Sequence, residues 1–95
     1  MAEATFQETR IIRLHYAPDL DTLDLWIDDP EKEALAEPYG DNVVVKLDEE
    51  GRPIGLEIIS LHKLHPRDLD ALPPQLRSAL YKALERINGH YNQAA

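Results

Sequence analysis

Ninety-five residues are one domain's worth of chain, enough to bury a modest core and too few for two. The absence of cysteine excludes a disulfide framework, a thiolate nucleophile and a cysteine-based zinc site. The net charge of −8 is lopsided, with 15 acidic and 5 basic side chains in residues 1–60 against 3 and 5 in residues 61–95, so the first part repels a nucleic-acid backbone and attracts a basic protein instead.

Residues 1–9, MAEATFQET, show no sustained pattern and read as a flexible N-terminal tail ahead of a single domain over 10–95. They lack an apolar signal core, and no run of the chain is long enough to span a bilayer, so the expectation is a cytoplasmic protein with no membrane partner. From Arg10 to Tyr16 the string RIIRLHY is rich in β-formers, with Ile12, Leu14 and Tyr16 on one side and Ile11, Arg13 and His15 on the other. Pro18 and short acids then mark a turn. In TLDLWID, Leu23, Leu25 and Ile27 share one face while Asp24, Trp26 and Asp28 share the other. Within residues 29–41, PEKEAL is compatible with a helical turn and ALAEPYG with a short edge strand near Ala36, ended by Pro38 and Gly40.

Asn42 to Ile59 carries the strongest pattern. Val43, Val45 and Leu47, then Ile54, Leu56 and Ile58, alternate with other residues on either side of a charged, glycine-containing interval, which predicts a half-buried β-hairpin. A two-residue loop at Glu50-Gly51 would set Leu47 opposite Ile54, Val45 opposite Leu56 and Val43 opposite Ile58. Gly51 is the structural turn residue, because such turns need a positive φ. Residues 10–60 thus form a meander of four or five strands.

The period changes after Ser60. Residues 61–72 are a connector, and 73–91 a helical region in which Pro73 and Pro74 suit a first turn. Leu76, Leu80, Ala83, Leu84, Ile87 and Tyr91 recur at helical spacing from roughly Pro74 to Asn88, and Gly89 is a credible stop. The predicted fold class is α+β, an antiparallel β-meander with a C-terminal amphipathic helix packed on one face.

Little in the chain carries recognisable chemistry. His15, His62 and His65, with Glu57, are the candidates for a metal- or ligand-binding site, but the histidines have no established ligand spacing and read better as solvated loop histidines. Asp19, Asp21 and Asp24 lack the glycine and terminal glutamate of a calcium loop. Glu57 lies in an otherwise apolar strand near Lys46, where an ion pair explains it more simply than acid–base catalysis. There is no phosphate loop or nucleophile elbow, and the sequence is read as a non-enzyme with no cofactor and no catalytic residue. Arg77, Lys82, Arg86 and His90 would serve a DNA-binding helix, although Glu85 among them makes an ordinary solvated face.

The face opposite the helix is where the sequence points for function. Trp26 falls there by parity, with Ile11, Val44 and Ile59 as expected neighbours and Lys46 and Glu57 at the rim, the composition of a protein interface. The expected partner is a second copy, giving a dimer at micromolar concentration, or a basic protein.

With both hairpins laid out, YAPDLDTLDLWI and NVVVKLDEEGRPIGLEIIS together resemble the short bacterial and archaeal proteins of domain-of-unknown-function family 2283. Tyr16, Pro18, Asp21, Leu23 and Leu25 match its Y-D-P-x-x-D-x-L-Y-I pattern. Val43, Val45, Asp48, Gly51, Gly55, Glu57 and Ile58 match its V-I-V-D-x-D-x-x-G-x-x-V-G-I-E-I-L block. Asp24, Trp26 and Lys46 depart from the pattern, all on the face away from the helix. The resemblance spans about Arg10 to Lys63 and implies a β-meander with a helical appendage. Because some members lie beside small toxin-like proteins, it also implies an antitoxin or accessory binding role.

Overall fold

The computed structural model describes the backbone of residues 10–94 and the side chains of residues 10–88. The tail expected over residues 1–9 lies outside the described residues, and so do the side chains of His90 and Tyr91. Five strands form one antiparallel sheet: β1 (Arg13–Ala17), β2 (Thr22–Trp26), β3 (Leu35–Pro38), β4 (Val43–Leu47) and β5 (Pro53–Ile58). They are followed by a short helix α1 (Pro66–Asp70) and the long helix α2 (Pro74–Ala94), an α+β arrangement.

The strand order is β1-β2-β5-β4-β3. The β1–β2 hairpin and the β3–β4–β5 meander are therefore two units zipped together along β2 and β5. After β2 the chain crosses to the far edge through a 3₁₀ turn at Pro30–Lys32, whose first amides Asp29 caps by accepting from the Glu31 N–H. β3 is exposed along its whole length and ends in Pro38, a residue the sheet tolerates only at an edge.

The register follows the hydrophobic alternation, with Val43 opposite Ile58 and Val45 opposite Leu56. The loop itself is one residue longer than the parity argument requires. The Asp48 N–H donates to the Arg52 carbonyl, the Gly51 N–H donates to the Asp48 carbonyl, and Gly51 has a φ of 80°. Glu49, Glu50 and Gly51 thus form a three-residue loop ending in left-handed glycine. A bulge between Lys46 and Leu47 absorbs the extra residue, so Leu47 faces Pro53 rather than Ile54. Two offsets of one residue cancel, and the aliphatic face survives.

A second bulge corrects the reading of β1. The Ile12 N–H donates to the carbonyl of Trp26, the residue that pairs with Arg13, so two residues stand against one. Parity inverts before this point. Ile11 packs against the core instead of joining the outer face, and Ile12 is left 58% exposed.

The core is built from Leu23, Leu25, Val43, Val45, Leu56 and Ile58 of the sheet with Leu72, Leu76, Ala79 and Leu80 from the helical end. Each fully buried Leu or Ile contributes about 1.5–3 kcal/mol of transfer free energy. Ala79 and Ala83 are fully buried, and their small side chains bring α2 close to β2 and β5, the strands it crosses. Two helix boundaries differ from the periodicity. α2 continues through Gly89 to Ala94: a mid-helix glycine costs only about 1 kcal/mol relative to alanine, and neither proline nor a β-rich run follows to turn the chain away. The connector also contains α1, nucleated by a capping box in which the His65 side chain accepts from the Arg67 N–H and Asp68 returns to the His65 N–H, with Pro66 in the first turn.

Candidate functional site

Because the helical layer covers one side of the sheet, residues of the opposite parity form an open face. The registers lay them out in rows. Arg13, Trp26, Gly55 and Lys46 follow one another across β1, β2, β5 and β4, and His15, Asp24, Glu57 and Val44 form the adjacent row. Arg13, His15, Asp24, Trp26, Lys46 and Glu57 line an open concavity of about 680 Å³ together with Leu14. One row carries the cations Arg13 and Lys46, the other the carboxylates Asp24 and Glu57. Two like charges directly opposite each other, as Asp24 and Glu57 are, destabilise a sheet.

Trp26 is walled in on this face. It is only 8% exposed, its ring rests over Gly55, and the Lys46 ammonium sits over the ring, 4.5 Å from its centroid. Among the described residues no ion pair joins Lys46 to Glu57; the lysine caps the tryptophan instead. Of the other residues expected here, Val44 lies opposite Glu57, half-buried, and Ile59 is 48% exposed just beyond β5.

The three histidines do not meet. His15 stands across from Asp24 on β1, His62 follows β5, and His65 caps α1. Among the described residues no group of three or more His, Asp or Glu side chains is placed to hold a metal ion, and no helix is long and apolar enough to cross a membrane.

At one end of the sheet the structure brings together residues that the sequence left separate. Asp21 has a φ of 61°, a left-handed conformation that Asp and Asn tolerate better than most residues. Its carboxylate accepts from the Ser60 hydroxyl at 2.7 Å, the His62 amide at 2.9 Å and the His62 Nδ1 at 2.8 Å, while its carbonyl accepts from the Leu61 N–H. Chiefly through the His62 amide, then the Ser60 hydroxyl, the carboxyl is held at about 2 against an ordinary 3.8. Asn42 clamps Ser60 from the other side, donating to its carbonyl and accepting its amide, each at 2.8 Å. Ser60 has no capping bond of its own to the 3₁₀ turn Leu61–Lys63, and Asp21 supplies that cap from a distance. Ser60 and His62 both donate to the carboxylate and not to each other, so the trio lacks the order of a serine–histidine–aspartate triad, in which the imidazole stands between hydroxyl and carboxylate; it latches Ser60 and His62 to the end of the β1–β2 turn. In the sequence Asp21 shows only as the last acid of a short turn before an apolar strand, and nothing there points to Ser60 or His62.

The β4–β5 turn is organised in a similar way. Asp48 Oδ1 accepts from the Glu50 and Arg52 amides, and Oδ2 accepts from the Arg52 guanidinium, which also pairs with Glu50. These bonds, led by the Arg52 amide, hold the Asp48 carboxyl below its ordinary value. On α2 the outward side chains Arg77, Tyr81, Lys82 and Glu85 mix both signs beside an exposed tyrosine.

No curated protein and no solved structure matches this chain. The family model described as "Protein of unknown function (DUF2283)" matches residues 13–61, from the first residue of β1 to the Leu61 amide held by Asp21, and includes both turns whose aspartates organise them. That match covers half the chain and every strand of the sheet, and the chain belongs to the DUF2283 family.

Proposed function

We propose that this chain is a non-catalytic protein-interaction domain that docks through the open face of its sheet. One observation carries the reading: the helical layer covers a single side, and the other side presents fixed cationic and acidic rows around a shielded Trp26. A platform whose central aromatic is held by Gly55 and Lys46 has little side-chain entropy left to lose on binding. Its charges balance locally despite the acidic total. An antitoxin-like or accessory role, as the family resemblance implies, is the specialised form of this reading, with a protein as the target. The metal-binding alternative finds its three histidines on separate elements, and the DNA-binding alternative finds mixed charge on the helix face.

A photo-cross-linking residue at position 44, compared with one at position 81 and expressed in the source cells, tests the proposal. Protein adducts at position 44 and none at 81 are expected. Adducts confined to position 81, or adducts to nucleic acid, would overturn it.

A further inference from the structure

The partner that best fits the open face is a second copy of the same face, and we infer that the chain self-associates through it about a two-fold axis. The inference rests on the interaction reading above and adds the identity and geometry of the occupant. Consider an axis lying in the interface, perpendicular to the strands and midway between the row of Arg13, Trp26, Gly55 and Lys46 and the row of His15, Asp24, Glu57 and Val44. Rotation about it exchanges the two rows, so the cationic row of one copy lies over the acidic row of the other. Lys46 on β4 then faces the neighbourhood of Glu57 on β5 of the second copy, and Arg13 on β1 that of Asp24 on β2. Each offset is one strand, about 4.8 Å, within the reach of these long side chains when sheets pack about 10 Å apart. By symmetry each contact occurs twice. The opposition of Asp24 to Glu57 within one copy is relieved by the cations of the other.

Size decides how strong this contact is. Five strands spaced about 4.8 Å apart, each about five residues at ~3.4 Å, give a face of roughly 400 Å² in projection. That is about half of the ~800 Å² per partner of a standard stable interface, so the association belongs to the weak, transient class rather than to the micromolar dimer expected from the sequence. Charge separates a second copy from a basic protein. Two bodies of net charge −8 repel at long range, and this repulsion is cut as the Debye length falls from about 30 Å at 0.01 M salt to about 8 Å at 0.15 M, while contact pairs are screened less. Self-association therefore tightens over that range. A complex with a basic protein would loosen.

Sedimentation equilibrium of the full chain up to about 1 mM and at both salt concentrations tests the inference. Wild type should associate, more tightly at the higher salt. Lys46→Glu and Glu57→Lys should each weaken association about tenfold or more, since each puts like charges in contact twice per dimer. An equimolar mixture of the K46E and E57K chains should recover it, because one restored and one original pair then form. The Arg13→Glu and Asp24→Lys chains provide the same test with the Lys46 ammonium left over the Trp26 ring, with thermal melts confirming that every variant folds. A wild type that stays monomeric, indifference to both substitutions, or a mixture that fails to recover would each overturn self-association. Cross-links from position 44 to a different protein, alongside a monomeric wild type, would sink this inference while leaving the interaction reading standing.

Discussion

The ring of Trp26 lies so close over Gly55 that a Cβ added to the glycine would sit 2.7 Å from Cε3 of the indole and 2.9 Å from the carbonyl oxygen of Leu25. The tryptophan sits in the notch left by a missing side chain on the neighbouring strand. The Trp26–Gly55 pairing of β2 with β5 therefore joins the two halves of the sheet and levels the open face at once.

Gly55→Ala tests this fit directly. One of the two clashing atoms belongs to the backbone of β2 and cannot swing away, so the added methyl must displace the indole or the strand. The expected loss is about 1–3 kcal/mol, the usual range for overpacking, read from chemical denaturation together with a change in tryptophan emission. A variant as stable as wild type would mean that the indole does not occupy the notch.

Gly51 separates backbone strain from crowding, because its φ is 80° and nothing lies within 4 Å of its would-be Cβ. Any effect of substitution must come from the residue's own conformation. Gly51→Val should cost about 1 kcal/mol or more and Gly51→Asn less, since Asn is the more tolerant of the left-handed region. Thermal melts of the pair check this, and equal tolerance would contradict the three-residue loop.

The latch at Asp21 predicts a pH dependence of definite sign. Its carboxyl is held at about 2 in the folded chain against an ordinary 3.8, so the stabilisation it gives is present above the ordinary value and is lost as pH falls through the folded one. Asp21→Asn removes the charge while keeping a side chain suited to a φ of 61°. The gap in Tm between wild type and this variant should be wide at about pH 6 and shrink by about pH 2. A gap of constant width would show that the ionised carboxylate is not what holds Ser60 and His62.

These residues also mark how far the sequence could be read. The pairing of Val43 with Ile58 and Val45 with Leu56 was legible because burial enforces a period of two, and any one-residue slip would turn aliphatic side chains outward. The two bulges were not legible. At Lys46/Leu47 a longer loop and a bulge cancel, leaving no trace in the alternation, whereas at Ile12/Arg13 the bulge exchanges two isoleucines that alternation alone cannot tell apart. That Arg13, Asp24, Lys46 and Glu57 share the open face followed from parity, but their order in rows and the shielding of Trp26 did not, since the register of β2 against β5 depends on two segments far apart in the chain. The Asp21–Ser60–His62 latch was hidden for the same reason. The capping box at His65, Pro66 and Asp68 was in plain view, and the histidine obscured it because imidazole is a rarer cap than serine or aspartate.

The separation of His15, His62 and His65 predicts indifference to metals. Neither zinc added in about tenfold excess nor a chelator should move Tm, because an ion stabilises only the state that binds it. A chelator-sensitive Tm that becomes insensitive on His62→Ala would place an ion at the latch.

Lys46 supplies the last test, because the chain has one tryptophan and its fluorescence reports on Trp26 alone. With the indole 8% exposed within a single copy, wild-type emission should be poorly quenched by iodide whatever the state of association. Low quenching is thus no sign of a dimer. Lys46 brings two parts to this side of the ring, the ammonium 4.5 Å from the ring centroid and the aliphatic stem that carries it, and two substitutions separate their effects. Lys46→Met keeps an unbranched apolar stem and loses the cation–π attraction, about 0.5–1 kcal/mol at such a site, so stability should fall slightly while quenching stays low. Lys46→Ala removes both, and quenching should rise together with a red shift of the emission. If K46A leaves the tryptophan as protected as in wild type, the lysine is not its cover, and the burial of Trp26 must come from the notch over Gly55 and the neighbouring strands alone.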